Sequence, residues 1–517
     1  MNKDKVFRWI IGIIIALTAV RLLSLAWTPL TDTTEARYAE IGQTMAATGN
    51  YITPMMDNAP FWAKPPLSFW ATALSDKIFG MNDFAAHLPH FLFLVGAAAL
   101  LYFFVRRWRG EVAAAVAVAT AMTMPTFLYL AGGVMTDPAL AFCFTLCMVS
   151  FYNTINRPPT GAQKSAAGSP QGGSSSAKDS IRKDSVGLTT PPLGGVGKRK
   201  AFSGGGTIWS YTFFIGLGLG LLAKGPLIIV LVGLPIFIWT LVKNKWRDIW
   251  KNVPWITGTL LMLAIAAPWY LLAERATPGF LKYFIVGEHF ERYITPHWAG
   301  DLYGEGRGGF IGKIWLLYIL AAIPWSIWLV ITLIKRKTSG FRLFGDDLSS
   351  YAMWFVLGPL IFFTFSRNIV PAYVLPSLIP TGILIAFAMG DKPNLRAFKT
   401  LLVINIAILV ALIGVETIYP KWTADLGISD KYFISQYEKY AGADAQLVLY
   451  KTKNYSAEIY AAERGIHYDY DADGDIGPLM NYNNAFVLMK KSDLPDIPIG
   501  HLTIAAGKKM VLIKLIK

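Results

Sequence analysis

Thr33-Thr34-Glu35-Ala36-Arg37-Tyr38-Ala39-Glu40 follows directly on the apolar run of residues 7–27, and Lys64-Pro65-Pro66 lies further along the polar interval that it opens. Ionisable groups beside hydrocarbon are expensive, so charges placed just beyond a first membrane span mark the place where a membrane enzyme keeps its chemistry. Outward from that stretch, apolar runs recur at residues 86–105, 112–130, 138–156, 208–223, 226–242, 254–272, 311–334, 350–366, 370–389 and 400–419. They approach the length that crosses about 30 Å of hydrocarbon, where a helix satisfies its own backbone. The sequence therefore predicts a mostly α, polytopic membrane protein with about 11–13 transmembrane helices.

Composition agrees: 54% of the 517 residues are hydrophobic and 16% are charged, too few charges for an ordinary soluble chain. The net charge of +15 is not the footprint of a nucleic-acid binder, because of where it falls. Basic clusters at Arg106-Arg107-Trp108-Arg109, Lys198-Arg199-Lys200, Lys243 to Lys251, Lys335-Arg336-Lys337 and Lys392 to Lys399 occupy alternate loops. The positive-inside rule makes those loops and the N-terminus cytoplasmic. Lys3-Asp4-Lys5 and Arg8 could open a signal peptide, but no small-residue cleavage site is evident, so an uncleaved first helix is expected. Cys143 and Cys147, four apart in one apolar helix, read as small core side chains rather than a disulfide or metal pair.

This topology places residues 28–85 on the outer face. Residues 34–48 predict an amphipathic helix capped by Thr33 or Thr34. A second helix is expected over Pro65 to Phe79, with Trp62, Phe69 and Trp70 suited to the membrane interface. Residues 157–206 are rich in Gly, Ser, Pro and Lys and predict a disordered cytoplasmic loop. A second outer loop at 274–310 carries Glu288-His289-Phe290-Glu291-Arg292-Tyr293 and the glycine-rich stretch Gly300 to Gly309. Beyond a membrane domain of residues 1–419, residues 420–517 predict a small outer α/β domain. Its strands are expected at Gln446 to Tyr450, Ala485 to Met489 and Lys509 to Ile516, with a helix near Ser456 to Arg464.

On this map Asp32, Glu35, Arg37, Lys64, Asp137, Lys224, Glu288, His289, Arg292 and Arg367 all fall at one face. Arginine and lysine there suit a phosphate, the first through bidentate contacts and the second as a point charge. They would also stabilise a phosphate as it departs, and a carboxylate such as Asp32 or Glu35 would take the proton of an incoming hydroxyl. An acceptor already ionised would need only to be oriented. The chemistry permitted is transfer of a sugar from a lipid-linked phosphosugar.

Six motifs in order carry a resemblance: Thr34-Glu35-Ala36-Arg37-Tyr38-Ala39-Glu40-Ile41, Lys64-Pro65-Pro66-Leu67 with Trp70, Met135-Thr136-Asp137, Ala223-Lys224-Gly225-Pro226, the Glu288 to Tyr293 segment and Tyr373-Val374-Leu375-Pro376. Over about residues 5–390 the chain resembles bacterial aminoarabinose transferases and dolichyl-phosphate-mannose-protein mannosyltransferase-like enzymes. The resemblance implies a GT-C membrane fold and an inverting glycosyltransferase with a periplasmic active site in the bacterial inner membrane. It implies a polyprenyl-phosphate (undecaprenyl-phosphate) sugar donor and, as acceptor, lipid A or another envelope glycan ahead of protein. By the same resemblance Lys64, Lys224 and Arg292 contact the carrier phosphate, Glu35 and Asp137 shape the sugar or acceptor site, and Arg37, Tyr38, Glu288, His289, Arg367 and Tyr373 complete the substrate-binding set. Two positions depart from the pattern. Thr34 stands where the family commonly has Asp, leaving the base open between Asp32 and Glu35, and Ala63 stands where aminoarabinose transferases tend to have Glu before the lysine.

Structural roles compete for each residue. Lys64 suits a snorkelling anchor beside Trp62, Asp137 a helix cap before Pro138, and Glu288, His289 and Arg292 a salt-bridge network that holds the loop. His289 lacks the spaced companions of a metal site, so no metal ligand is assigned, no cofactor is required by the motifs, and a divalent metal stays open. Asp469, Asp471, Asp473 and Gly474 open like a calcium loop, but Met480 stands where the bidentate Glu belongs, which favours a solvated turn. Outside the enzyme class, a lipid-linked sugar transporter or flippase would show related halves with interrupted helices at the midplane. Here the halves differ and the charges gather at one face.

Overall fold

A computed structural model of the chain describes residues 3–156, 204–300, 302–303, 309–337, 346–389, 395–419, 421–442, 444–471, 484–497 and 499–516. Residues 157–203 of the loop expected to be disordered, most of Gly300 to Gly309, Lys392, and the 472–483 part of the calcium-like loop lie outside the described residues.

Every predicted apolar run is helical. Six segments are long and apolar enough to cross a membrane: Asp4–Ser24, Asp83–Arg109, Thr136–Ile155, Trp255–Ala276, Asp347–Thr364 and Pro371–Met389. The run at 311–334 breaks into Lys313–Ala321 and Trp325–Lys337, bent by 99° at Pro324. Three other runs form shorter apolar helices, Glu111–Met122, Ile208–Lys224 and Leu227–Lys243. The last run forms Leu395–Ile418. The run at 112–130 is not continuous: Glu111–Met122 stops before Pro125, which opens the short helix Pro125–Leu130. Proline has no N–H to continue the ladder, but its fixed φ suits a first helical turn. Cys143 and Cys147 are buried free thiols, and the Sγ of Cys147 lies 3.6 Å from the Phe213 carbonyl.

The helices give the bundle two unlike ends. Asp83–Arg109 has 27 residues, so its termini stand about 40 Å apart. At its far end Arg109 pairs with Asp346 and lies over the Phe387 ring, and Arg106 pairs with Glu111. At its near end Asp83 accepts from the Tyr460 hydroxyl at 2.7 Å and pairs with Lys431. Asp137 opens one helix at that near end and Lys224 closes another.

The first loop forms the expected helix Thr34–Thr48, ended by Gly49 in the left-handed region, and a second helix Leu67–Phe79 behind Pro65-Pro66. Between them, β1 (Met55–Met56) pairs antiparallel with β2 (Ala59–Pro60). Trp62 and Phe69 do not face an interface as expected: they are buried, and Trp70 donates its indole N–H to the Tyr51 carbonyl. Trp62 packs against Trp269 and Phe280 of the bundle, and the C-terminal segment covers Phe69. It builds a five-stranded sheet, β4-β3-β5-β7-β6, from β3 (Gln446–Tyr450), β4 (Tyr468–Asp471), β5 (Ala485–Lys490), β6 (His501–Ala506) and β7 (Met510–Leu515). Strand β3 runs parallel to β4 and β5, while β7 is antiparallel to β5 and β6. One sheet face and the helices Lys431–Tyr440 and Tyr455–Glu463 share an apolar core with Ala36, Tyr38, Ile41, Met45 and Phe69 of the first loop. Strand β4, strand β6 and the helix Lys431–Tyr440, whose Phe433, Ile434 and Tyr437 are buried at helical spacing, add to the elements expected from the sequence.

Candidate active site

Lys64, Lys224, Glu288, His289, Arg292 and Tyr373, which come from distant segments of the chain, line one cavity at the near end of the bundle. Ala63, Leu227, Tyr293, Phe362, Phe363, Ser366 and Asn368 complete its wall.

Glu288 is the hub. Its side chain is only 2% exposed, and it is reached by three donors. Lys64 Nζ donates to Oε2 at 3.0 Å, Arg292 Nη1 donates to Oε1 and Oε2 at 3.0 and 2.9 Å, and the Tyr283 hydroxyl donates to Oε1 at 3.2 Å. Burial alone would raise the Glu288 pKa, but the two cations more than offset it and hold the carboxyl below its usual range. Burial likewise opposes the charge on Lys64, and Glu288 reverses that, so the ammonium titrates above its ordinary value. The local backbone explains the arrangement. Lys282–Glu291 is a π-helix, a rare form that occurs mostly at functional positions. It carries Glu288 and His289, while Arg292 begins the α-turn that follows. Lys64 arrives from the extended Ala63-Lys64-Pro65-Pro66 segment, where each proline restricts the residue before it.

A second ion pair flanks the first. Lys224 Nζ donates to Asp137 Oδ1 at 2.6 Å, with side chains 7% and 9% exposed, and its ammonium lies 4.4 Å from the Tyr373 ring centroid. Gly225, at φ +78°, turns the chain so that the Lys224 carbonyl meets His289 Nε2 at 3.0 Å. A side chain at Gly225 would strike Phe284 and His289 at 2.7–2.8 Å. The other nitrogen of His289 lies 2.8 Å from the Phe284 carbonyl. Burial lowers the pKa of this imidazole, with the two carbonyls pulling the other way. Three cations thus face two carboxylates, which leaves the pocket one positive charge in excess.

The remaining candidates are placed elsewhere. Tyr38 sits in the aromatic cluster behind Lys64, its ring 5.9 and 5.3 Å from those of Phe61 and Phe69. Arg367 lies between two lining residues, and its N–H points to the Tyr293 carbonyl at 3.4 Å. Arg37 donates to the Tyr303 carbonyl and lies over the rings of Tyr38 and Phe61. Glu35 lines a different cavity with Arg21 and His87, and accepts from the Thr31 hydroxyl at 2.5 Å. Asp32 is drawn away altogether. Both its oxygens accept from Ser456 at the start of the Tyr455–Glu463 helix, so it anchors the C-terminal unit rather than serving this pocket as a base. Asn368 is a residue the sequence did not single out: its amide donates to the Arg292 and Thr295 carbonyls at 2.5 and 2.9 Å, and its buried Oδ1 has no partner. Its only signal was its position beside Arg367. Among the described residues, the carboxylates of Glu40, Asp57 and Glu458 lie within 4.8 Å of one another and could hold a metal ion, but Lys453 already pairs with Asp57 and approaches Glu458 at 3.8 Å.

Residues 11–171 and 195–284, which carry Lys64, Asp137 and Lys224, match the sequence profile of the dolichyl-phosphate-mannose-protein mannosyltransferase family. The chain is similar to this family over just under half of its length. Among curated relatives, the undecaprenyl phosphate-alpha-4-amino-4-deoxy-L-arabinose arabinosyl transferase of Enterobacter sp. (strain 638) is 25% identical over 379 residues, 72% of this chain and 58% of the relative. A transferase of the same name, numbered 2, from Pseudomonas fluorescens (strain Pf0-1) is 22% identical over 76% of this chain and 63% of the relative. The chain therefore spans about three-fifths of the length of these relatives. The crystal structure of ArnT from Cupriavidus metallidurans bound to undecaprenyl phosphate superposes with a TM-score of 0.70 at 18% identity, covering 98% of both chains. The fold is thus the GT-C membrane architecture that the motifs implied.

Proposed function

We propose that the protein is an integral membrane glycosyltransferase that moves a sugar from a polyprenyl-phosphate donor, undecaprenyl phosphate in a bacterium, to lipid A or another envelope glycan. The observation that carries this reading is the burial of Glu288 between Lys64 and Arg292, beside the Lys224–Asp137 pair, in one cavity at the end of the bundle away from the Arg106–Arg109 cluster. Relatives named as aminoarabinose transferases and a matching fold titled as an undecaprenyl phosphate complex support it. By the positive-inside rule, the basic end is cytoplasmic and the cavity periplasmic, in the inner membrane.

In this reading the carrier phosphate enters among the three cations, competing with Glu288 for Lys64 and Arg292. The bond between the sugar C1 and the phosphate oxygen breaks with its electron pair going to the phosphate, where the cations meet the developing charge. An acceptor oxygen bonds to C1 from the opposite side. Among the described residues lining the cavity, Glu288 is the one carboxylate, and it is held by two cations; Asp137 beyond it is held by Lys224. No described lining group is poised to take a proton, which favours an acceptor already ionised, such as a phosphate group on lipid A, over a sugar hydroxyl. Protein acceptors, which present hydroxyls, are disfavoured for the same reason.

The test uses the purified protein in proteoliposomes with labelled polyprenyl-phosphate sugars and lipid A. Release of carrier phosphate with label on lipid A supports the proposal; label that crosses the bilayer still attached to its carrier would establish a transporter instead.

A further inference from the structure

A cavity of about 430 Å³ opens where the first loop meets the C-terminal unit, and the transfer chemistry above does not use it. Its walls bring together two lysine pairs, Lys490-Lys491 and Lys508-Lys509. The sheet register is the cause. Strands β5 and β7 pair antiparallel with Lys490 opposite Met510, and the Lys491 N–H donates to the Lys509 carbonyl at 2.8 Å, so both pairs reach the same end of the sheet. Gly427 lies against the Lys509 stem, its missing side chain leaving room for the aliphatic chain. Among the described residues none of these four ammonium groups has an acidic partner within ion-pair distance. Four gathered like charges favour an anion between them.

The interior of the cavity adds hydrogen-bonding groups. Ser429 is 1% exposed, and its hydroxyl has no partner; the Thr452 hydroxyl, also buried, has none. Buried polar groups are almost always satisfied, so two orphaned hydroxyls on residues of one cavity wall offer hydrogen bonds that a small side-chain rotation would turn toward an occupant. The two acids in the wall are already engaged, Asp32 by Ser456 and Asp430 by the Asn454 amide at 2.5 Å. Burial pushes Asp430 up to about 7, so near neutrality a protonated form that offers an O–H is readily available to this carboxyl.

We propose that this cavity binds a phosphorylated sugar, with the lysines taking the phosphate and Ser429, Thr452 and Asp430 taking ring hydroxyls. The ligand class is a sugar phosphate monoester, carried either on a lipid-anchored glycan or as a free molecule. This site is separate from the bundle cavity and does not rest on the transferase reading.

The experiment uses the full chain in nanodiscs and measures protection of individual lysines from acetylation by mass spectrometry. The probes are glucose 1-phosphate, glucose, inorganic phosphate, and lipid A incorporated in the nanodisc. Glucose 1-phosphate, lipid A or both are expected to protect Lys490, Lys491, Lys508 and Lys509 over lysines elsewhere, while glucose alone does not. Protection by only one of the two assigns the free or the lipid-anchored source. Charge reversal at Lys508→Glu with Lys509→Glu is expected to weaken binding by at least about tenfold, and the milder Lys508→Gln with Lys509→Gln by less. Ser429→Ala should weaken glucose 1-phosphate more than inorganic phosphate. Absence of selective protection by both phosphorylated probes, or unchanged affinity in the charge-reversed protein, overturns the site. Inorganic phosphate binding as tightly as glucose 1-phosphate overturns the sugar recognition.

Discussion

Replacing Lys64 by Met tests whether the cations around Glu288 serve chemistry or only hold the loop. The ammonium lies 3.0 Å from Glu288 Oε2, a separation at which the gross Coulomb attraction is about 5 kcal/mol at an effective dielectric near 20. Most of that is offset by desolvation, and Arg292 still holds both oxygens of Glu288 after the change. The fold should therefore lose only about 1–2 kcal/mol, because Glu288 is not left as a lone buried charge. Catalysis should suffer far more. A donor that meets charge developing on a leaving group contributes about 3–4 kcal/mol to the transition state, so kcat is expected to fall by about 10²–10³. Turnover in proteoliposomes, with thermal unfolding in detergent as the control for folding, separates the two roles. A variant that unfolds slightly earlier yet transfers sugar at the parental rate would refute the assignment of Lys64 to the phosphate. A tighter control is Glu288→Gln, which frees both cations. It should bind the carrier phosphate more tightly while releasing it more slowly, a split that a purely structural pair would not produce.

Other outcomes follow from the same geometry. Asp137→Asn or Lys224→Met alone leaves a buried charge unpaired and should cost about 3–5 kcal/mol, whereas the double replacement should recover much of the stability without restoring turnover, as thermal unfolding and transfer assays would show. Gly225→Ala adds a side chain at φ +78° against Phe284 and His289, and should lower stability by about 1–3 kcal/mol together with turnover. Burial raises the carboxyls of Glu40 in the first loop and of Asp430 and Glu463 in the C-terminal unit to about 7, so the folded protein holds protons that the unfolded chain has released. Stability from these groups is present below the unfolded carboxylate range and is lost as pH rises through about 7, the reverse of Glu288, whose contribution is lost as pH falls. Hydrogen exchange in residues 421–471 should accordingly quicken between about pH 5 and 8, and Asp430→Asn should flatten that profile; a rate that slowed over this window, after correction for intrinsic exchange, would contradict the sign.

Legibility varied with how local each feature is. The eleven apolar runs announced helices because a membrane helix satisfies its backbone within its own sequence, so hydropathy suffices. The helix Thr34–Thr48 and strand β3 appeared with their predicted limits, while β4 and β6 did not, since Tyr468–Asp471 and His501–Ala506 are edge strands with little apolar alternation. In the same way Lys64, Lys224, Glu288, His289, Arg292 and Tyr373 could be picked out as charges and motifs at one face, and the four-residue spacing of Glu288 and Arg292 suited an ion pair, yet nothing in the spacing said that Lys64 would join it.

The sequence by itself determined a helical membrane chain, the family it resembles, and a set of ionisable residues too costly to be incidental near hydrocarbon. Tertiary structure alone decided the distant partners: Lys64 on Glu288, Lys224 on Asp137, and Asp32 carried off to Ser456. The physical reason is that hydropathy and helix period act over a few neighbouring residues, whereas ion pairing is settled by which distant segments are packed within about 4 Å in a medium too dry to leave a charge alone.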